Sequence, residues 1–151
     1  MRKKQPALSA AHCQVLQQPF YQFAQMKQFA PESIEGVKAQ YRAAWTDWRD
    51  FVLAVQAVLA AQGIVFAAPH IERWCNGWQV RAHFFAFFKL PGFERDAPIL
   101  SLILNRQRFT VSLDWHAYKA AQSHISLAQY HQWLDQIGQP QWADWDLWLG
   151  K

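Results

Sequence analysis

One apolar stripe at helical spacing constrains the fold of this chain more than any other feature of its sequence. Six residues recur at intervals of four, three, four, three and four positions: Tyr41, Trp45, Trp48, Val52, Val55 and Leu59. This period places all six on one face of an α-helix. Ser33 is a candidate N-cap, Glu35 suits the positive end of the helix dipole, and Gly63 supplies a stop. We therefore predict a long helix over residues 33–62. Three further apolar residues predict burial of this helix on several sides: Phe51, Leu53 and Val58.

Residues 64–116 change to a period of two, which is typical of antiparallel β-strands. Asn76-Gly77 is the strongest short signal for a hairpin turn, because both residues tolerate the positive φ angles that a tight turn requires. A two-residue turn at this point predicts Glu72 opposite Arg81 and His70 opposite His83. Strands are predicted to follow over residues 78–89, 99–104 and 109–116.

The predicted strands have one apolar face and one mixed face. The apolar face is formed by alternating residues: Trp78, Val80, Ala82, Phe84, Ala86, Phe88, Leu100, Leu102, Leu104, Phe109, Val111, Leu113 and Trp115. The opposite face, here called the second face, mixes polar, charged and apolar residues: Glu72, Gln79, Arg81, His83, Phe85, Phe87, Lys89, Ile99, Ser101, Ile103, Arg108, Thr110, Ser112, Asp114 and His116. We predict that the long helix lies behind the sheet and that the second face is the working surface.

Shorter helical patterns flank this central unit. Residues 8–29 are predicted to be helical with an interruption at Pro19, and residues 126–137 form another amphipathic segment. The predicted fold class is α+β: N-terminal helices, including the long central one, pack on a three- to four-stranded antiparallel sheet, and a C-terminal helix follows. We predict a single domain over residues 1–151, with a basic and mobile tail over residues 1–8.

Composition excludes several classes of protein. Hydrophobic residues make up 52% of the chain and charged residues only 17%, which argues against disorder. The apolar runs are shorter than the roughly 18 residues that a membrane-spanning helix needs, so no membrane partner is predicted. The two cysteines form no CxxC motif, and no apolar signal segment follows the basic start. These features predict free thiols in a reducing, cytoplasmic location.

Charge is distributed unevenly along the chain. The formal net charge is +4, and residues 73–119 contain seven basic and three acidic side chains. A basic patch attracts nucleic acids and other anions. Because most of the second face lies in this basic part of the chain, that face is the candidate site for an anionic ligand.

Two strings carry a resemblance to a known family. WCNGWQVRA, followed by NRQRFTVSLDWHAY, resembles an uncharacterised bacterial family of about this length, a domain of unknown function. The resemblance covers most of the chain and implies a small bacterial cytoplasmic protein. Because that family has no assigned reaction, the resemblance implies no catalytic residues.

Five residues of the second face are the candidate binding residues: Arg81, His83, Arg108, Asp114 and His116. The arginines are expected to hold an anion or a phosphate, and the histidines and the aspartate to hydrogen-bond the ligand. The leading hypothesis is a non-enzymatic binding module for an anionic small molecule or a nucleic acid. The same pattern also fits a solvent-facing sheet whose apolar members lie under a helix.

Asp114 and His116 also support an enzymatic alternative. Residues two apart in a strand share a face, so the carboxylate is placed to orient the imidazole as a general base in a small hydrolase or lyase. The sequence contains no P-loop, no dinucleotide motif and no G-x-S-x-G turn. Neither a metal nor a cofactor is therefore predicted.

The C-terminal end supports a third hypothesis. Four of the nine tryptophans lie there: Trp133, Trp142, Trp145 and Trp148. Exposed aromatic residues are typical of protein interfaces. This end is accordingly a candidate surface for a protein partner or for a homodimer.

Overall fold

The computed structural model describes residues 5–137, apart from the side chain of Ile137. The helices are α1 (Ala10–Val15), α2 (Phe23–Phe29), α3 (Ile34–Ala61) and α4 (Leu127–Ile137). The strands are β1 (His70–Ile71), β2 (His83–Phe88), β3 (Pro98–Asn105) and β4 (Phe109–Trp115). Two short 3-10 helices, Pro31–Ser33 and Ala117–Gln122, precede α3 and α4. The α+β class is confirmed, as is the interruption near Pro19 between α1 and α2.

The long helix α3 agrees with its predicted bounds to within one residue at each end. Its C-terminal stop is confirmed, since Gly63 adopts a φ of 83° that other residues rarely tolerate. The N–H of Gly63 bonds the carbonyl of Ala60, and the N–H of Ile64 bonds that of Leu59. Ser33 occupies the predicted N-cap position, but its side chain does not cap the helix, because the hydroxyl donates backwards to the carbonyl of Ala30 at 2.7 Å.

Helix α3 is buried on one side only. Tyr41, Trp48 and Val52 are fully enclosed, whereas Leu53 and Val58 are 44% and 50% exposed. The prediction that Leu53 and Val58 are also buried is therefore wrong, because neither the sheet nor α1 and α2, which also contact α3, cover these two residues. The Phe84 ring of β2 packs against Tyr41 and Trp48, with ring centroids 6.0 and 6.3 Å apart. These rings join the helix to the apolar face of the sheet.

The strands form an antiparallel sheet in the order β1-β2-β3-β4. Strand β3 lies between β2 and β4, with Ser101 opposite Phe87 on one side and opposite Ser112 on the other. Burial alternates along β2, so that Phe84, Ala86 and Phe88 are buried while Phe85 and Phe87 remain half-buried. The predicted separation of an apolar face from the second face is thus seen along β2. It does not extend over the whole sheet, because Val111 of the predicted apolar face is 54% exposed whereas Ile99 and Ser101 of the second face are buried.

The hairpin at Asn76-Gly77 differs from the predicted register. Asn76 takes the first position of the turn, where its side-chain oxygen accepts the N–H groups of Trp78 and Gln79. Cys75 consequently pairs with Val80 instead of Trp78. Further along the hairpin the offset grows, and His70 lies opposite Phe87.

The prediction that His70 lies opposite His83 is therefore wrong. Phe87 lies an even number of residues beyond His83, so the side chain of His70 keeps its predicted face but moves to the other end of the sheet. The Glu72–Arg81 pairing survives as a side-chain contact, with Arg81 Nη2 and Glu72 Oε1 3.0 Å apart.

Within residues 5–137 no helix is long and apolar enough to cross a membrane. The three cations of the predicted basic tail, Arg2, Lys3 and Lys4, lie outside the described residues, as do Trp142, Trp145 and Trp148.

Candidate anion-binding site

The candidate binding residues occupy opposite ends of the second face. His83 pairs with Asn105, and Arg108 accepts a backbone hydrogen bond from Asn105 in the β3–β4 turn. Asp114 pairs instead with Ile99 near the start of β3. The six-residue separation between Ile99 and Asn105 corresponds to about 20 Å along a strand. One small ligand therefore cannot contact both ends.

Arg81 lies in the hairpin that leads into β2, before either group. Its guanidinium is held by Glu72, and its backbone carbonyl accepts the Tyr41 hydroxyl of α3 at 2.8 Å. These contacts connect the hairpin to the long helix. In this structure Arg81 is an ion-paired, half-buried residue that supports the fold.

Asp114 interacts with Ser101 rather than with His116. The Ser101 hydroxyl, which is fully buried between β2 and β4, donates to Asp114 Oδ2. Burial is the largest cause of the raised pKa of Tyr130, and the negative charge of Asp114 is the second. The charge of Asp114 therefore also acts on α4. The carboxylate is thus part of the packing between β3, β4 and α4.

His116 lies immediately after β4, and its backbone N–H bonds the carbonyl of Ala97 at 2.7 Å. Its ring packs between two other rings, with centroids 5.7 Å from Phe87 and 5.8 Å from Tyr118. The Nδ1 atom is buried and has no hydrogen-bond partner among the described residues. A buried polar atom without a partner is uncommon in folded proteins and indicates an unmet hydrogen bond.

Lys89 lies beside this histidine at the end of β2. Its side chain is buried, with 8% of the residue exposed. The ammonium group donates to the carbonyls of Glu94 at 3.0 Å and Asp96 at 2.6 Å. An ammonium carries three protons, so one donor remains for a ligand.

Phe87 is the centre of this end of the second face. Its ring stacks on His70 at 4.9 Å, contacts Phe85 at 5.8 Å, and lies 5.8 Å from Lys89 Nζ. We use the name Phe87 cluster for six residues: His70, Phe87, Lys89, His116, Tyr118 and Lys119. The cluster combines four basic side chains with two aromatic ones.

The basic groups of the Phe87 cluster act on one another's pKa values. Burial is the largest cause of the lowered pKa of His116, and the charges of Lys89, Lys119 and His70 lower it further. The pKa of Lys89 is lowered by burial and then by Lys119, while Asp96 and Glu94 oppose that shift. Each basic group here therefore disfavours the charged form of its neighbours.

The lowered pKa of His116 predicts a pH dependence of stability. Unfolding returns the pKa of His116 to about 6.5, so above that pH both states are neutral and its contribution is fully present. As the pH falls below about 6.5 the unfolded state binds a proton first, and this contribution is lost as the pH passes through the lower pKa of the folded state. Urea unfolding at pH 7.5 and 5.0 should show a larger loss for wild type than for His116→Gln. Equal losses would contradict the prediction.

The segment that carries Tyr118 and Lys119 is fixed at both ends. At its start, His116 bonds the carbonyl of Ala97; at its end, the Ser123 hydroxyl accepts the N–H of Ala97 at 3.1 Å. The buried Asp96 carboxylate accepts the N–H of His124 at 2.5 Å. These bonds hold Ala117–Gln122 against the β2–β3 loop.

A second group of polar side chains, centred on His12, lies far from the Phe87 cluster in the sequence. His12 Nε2 lies 2.9 Å from Asp47 Oδ2, and its Nδ1 lies 3.1 Å from the Ser9 hydroxyl. However, Nδ1 also accepts the backbone N–H of Ser9 at 3.0 Å, as in a helix-capping arrangement. We interpret this group as the cap of α1 and its link to α3. Among residues 5–137, no group of three or more His, Cys, Asp or Glu side chains is placed to hold a metal ion.

The sequence analysis missed His70, Lys89, Lys119 and Phe87 as site residues. Lys89 and Phe87 were placed on the correct face, but only the true register brings His70 beside Phe87. Part of the missing signal was the turn position of Asn76, which moves Cys75 opposite Val80. A further shift between Cys75 and Ile71 brings His70 opposite Phe87.

The fold and this cluster define an α+β protein with a cationic and aromatic site at one end of its antiparallel sheet. The model of one protein family matches residues 8–151, and the chain belongs to that family. An uncharacterized protein of Haemophilus influenzae is 51% identical over 142 residues, which span 94% of this chain and 67% of the relative. The predicted resemblance to an uncharacterised bacterial family is confirmed. No solved structure matches the chain.

Proposed function

We propose that this protein is a non-enzymatic binding module that holds a small anion at the Phe87 cluster. The observation that carries the proposal is the buried, unpartnered Nδ1 of His116 among three basic neighbours, Lys89, Lys119 and His70. A phosphate or carboxylate oxygen at this point would accept from His116 and from Lys89. Such charge-assisted hydrogen bonds are stronger than neutral ones.

The proposal narrows the candidate residues of the second face. His116 keeps its predicted role as a ligand contact, while Asp114 supports the site through Ser101. His83 and Arg108 lie at the other end of the sheet and are not part of this proposal. The Asp114 carboxylate accepts from Ser101, and the buried Nδ1 of His116 has no partner among the described residues, so this carboxylate does not orient that nitrogen. For that reason we favour binding over catalysis.

The experiment is a calorimetric titration of the full chain with inorganic phosphate at low and moderate salt. We expect saturable binding that His116→Gln weakens about 3- to 10-fold, the loss expected for one hydrogen bond. His83→Gln is the matched control, because it removes a histidine from the same face at the other end. This control variant should bind phosphate as wild type does.

Two results would overturn the proposal. The first is no phosphate binding by the folded wild-type protein, or equal weakening by His83→Gln and His116→Gln. The second is binding of a single-stranded oligonucleotide, but not of phosphate, with steep salt dependence and loss on Arg108→Ala. That pattern would assign the basic face to nucleic acid.

We further propose a cytoplasmic location. Its support is the presence of two free cysteines, Cys13 and Cys75, both half-buried and neither in a disulfide. Unpaired thiols are typical of a reducing compartment.

A further inference from the structure

Tyr118 is the most exposed large aromatic side chain among the described residues. Its ring is 91% exposed, yet it stands edge-on to the buried side of the cluster, with its centroid 5.8 Å from that of His116 and an interplanar angle of 85°. The 3-10 helix that carries it is bonded to Ala97 at both ends. A large ring is therefore displayed to solvent from a fixed backbone, next to the ring of His116.

The surface beside this ring is also aromatic. Phe85 and Phe87 are half-buried on the second face, and the exposed His70 stacks on Phe87. An anion at His116 and Lys89 would thus have flat rings on two sides of it. Aliphatic side chains would serve equally well to exclude water, but rings add a preference for flat ligand groups, through stacked and edge-on contacts.

We propose that the anion held at the Phe87 cluster carries a planar aromatic ring, and that Tyr118 packs on that ring. This inference rests on the proposed function and adds the chemical class of the ligand: an aromatic phosphate or carboxylate. The anionic group is held by Lys89 and His116, and the ring of the ligand covers part of the exposed face of Tyr118.

The test compares methyl phosphate with phenyl phosphate, two monoesters that differ in the ring and share the phosphate. We expect wild type to bind phenyl phosphate about 3- to 10-fold more tightly than methyl phosphate, which is the gain in affinity expected from one aromatic contact. Tyr118→Ala should abolish this advantage, so that the two esters bind this variant with equal affinity. Tyr118→Phe retains the ring and should retain the advantage.

Trp78→Ala is the matched control, because Trp78 is another exposed ring, 56% accessible, located at the hairpin turn instead of the cluster. It should leave both affinities unchanged. Equal binding of the two esters to wild type would overturn this inference and leave the proposed function standing. A preference for phenyl phosphate that persists in Tyr118→Ala would overturn the role of Tyr118. If neither ester nor inorganic phosphate binds, the proposed function itself fails.

Discussion

Replacing Trp48 with alanine is expected to lower the free energy of unfolding by about 3–5 kcal/mol, the range for truncating a large buried aromatic side chain. Trp48 is fully buried in α3 and contacts three rings, those of Phe51, Phe84 and Phe109, at centroid distances of 6.2 to 6.3 Å. Phe84 belongs to β2 and Phe109 to β4, so this one side chain packs the helix against the strands on both sides of β3. Urea unfolding followed by circular dichroism measures the loss.

Trp48→Phe separates packing from hydrogen bonding at the same position. The indole Nε1 of Trp48 is buried without a hydrogen-bond partner among the described residues. Burying such a donor costs about 1–3 kcal/mol, and phenylalanine removes it while keeping an aromatic ring. The smaller ring leaves some empty volume, which offsets that gain. We expect Trp48→Phe to cost about 1 kcal/mol or less, far below the cost of alanine.

A large loss in Trp48→Phe, comparable to that in Trp48→Ala, would contradict this explanation. It would mean that the indole N–H contributes to stability through an interaction that ring packing does not describe. If Trp48→Ala does not fold at all, the phenylalanine variant still decides the question, because it changes the core volume less.

The helix containing Trp48 was predictable because its evidence is local. Six apolar residues at one period and a glycine at the C-terminus define α3 without any knowledge of its partners. What the local pattern could not reveal is how much of the helix is covered. Leu53 and Val58 are as apolar as their buried neighbours, yet they face solvent because neither the sheet nor α1 and α2 cover them in the described structure.

The register of the first hairpin shows a different limit. Asn-Gly correctly predicts a turn, but the choice between asparagine as the first or the second turn residue depends on hydrogen bonds that involve its side chain. That choice changes the partner of Cys75, and a further shift between Cys75 and Ile71 completes the change in the partner of His70. The residues were assigned to the correct faces because the offset changed by an even number of residues. Their neighbours along each face were predicted wrongly, because the offset still moved each residue along the sheet.

The candidate site was therefore predictable only in part. His116 and Lys89 were placed on the second face by alternation alone. Their proximity to Lys119 depends on the Ala117–Gln122 segment, which is held by bonds to Ala97 and Asp96 that no periodic pattern indicates. Long-range contacts of this kind assemble the cluster from three separate parts of the chain.

Replacing Lys89 with methionine is expected to weaken phosphate binding about 10- to 100-fold, as the loss of a charge-assisted hydrogen bond predicts. Methionine keeps a long apolar stem against Phe87 and removes the ammonium group. The same change leaves the carbonyls of Glu94 and Asp96 without their donor. Unfolding free energy should therefore also fall, by about 1–2 kcal/mol, because part of the cost is offset by no longer burying a charge.

Lys119→Met distinguishes the two roles of Lys89. Lys119 is half-buried and acts on the cluster through its charge, since it lowers the pKa of both Lys89 and His116. Removing it should weaken phosphate binding less than Lys89→Met does and should leave the unfolding free energy nearly unchanged. Calorimetry and urea unfolding on the two variants provide both quantities. If Lys89→Met folds and binds phosphate as tightly as wild type, the ammonium group does not contact the anion, and the site must lie elsewhere on the sheet.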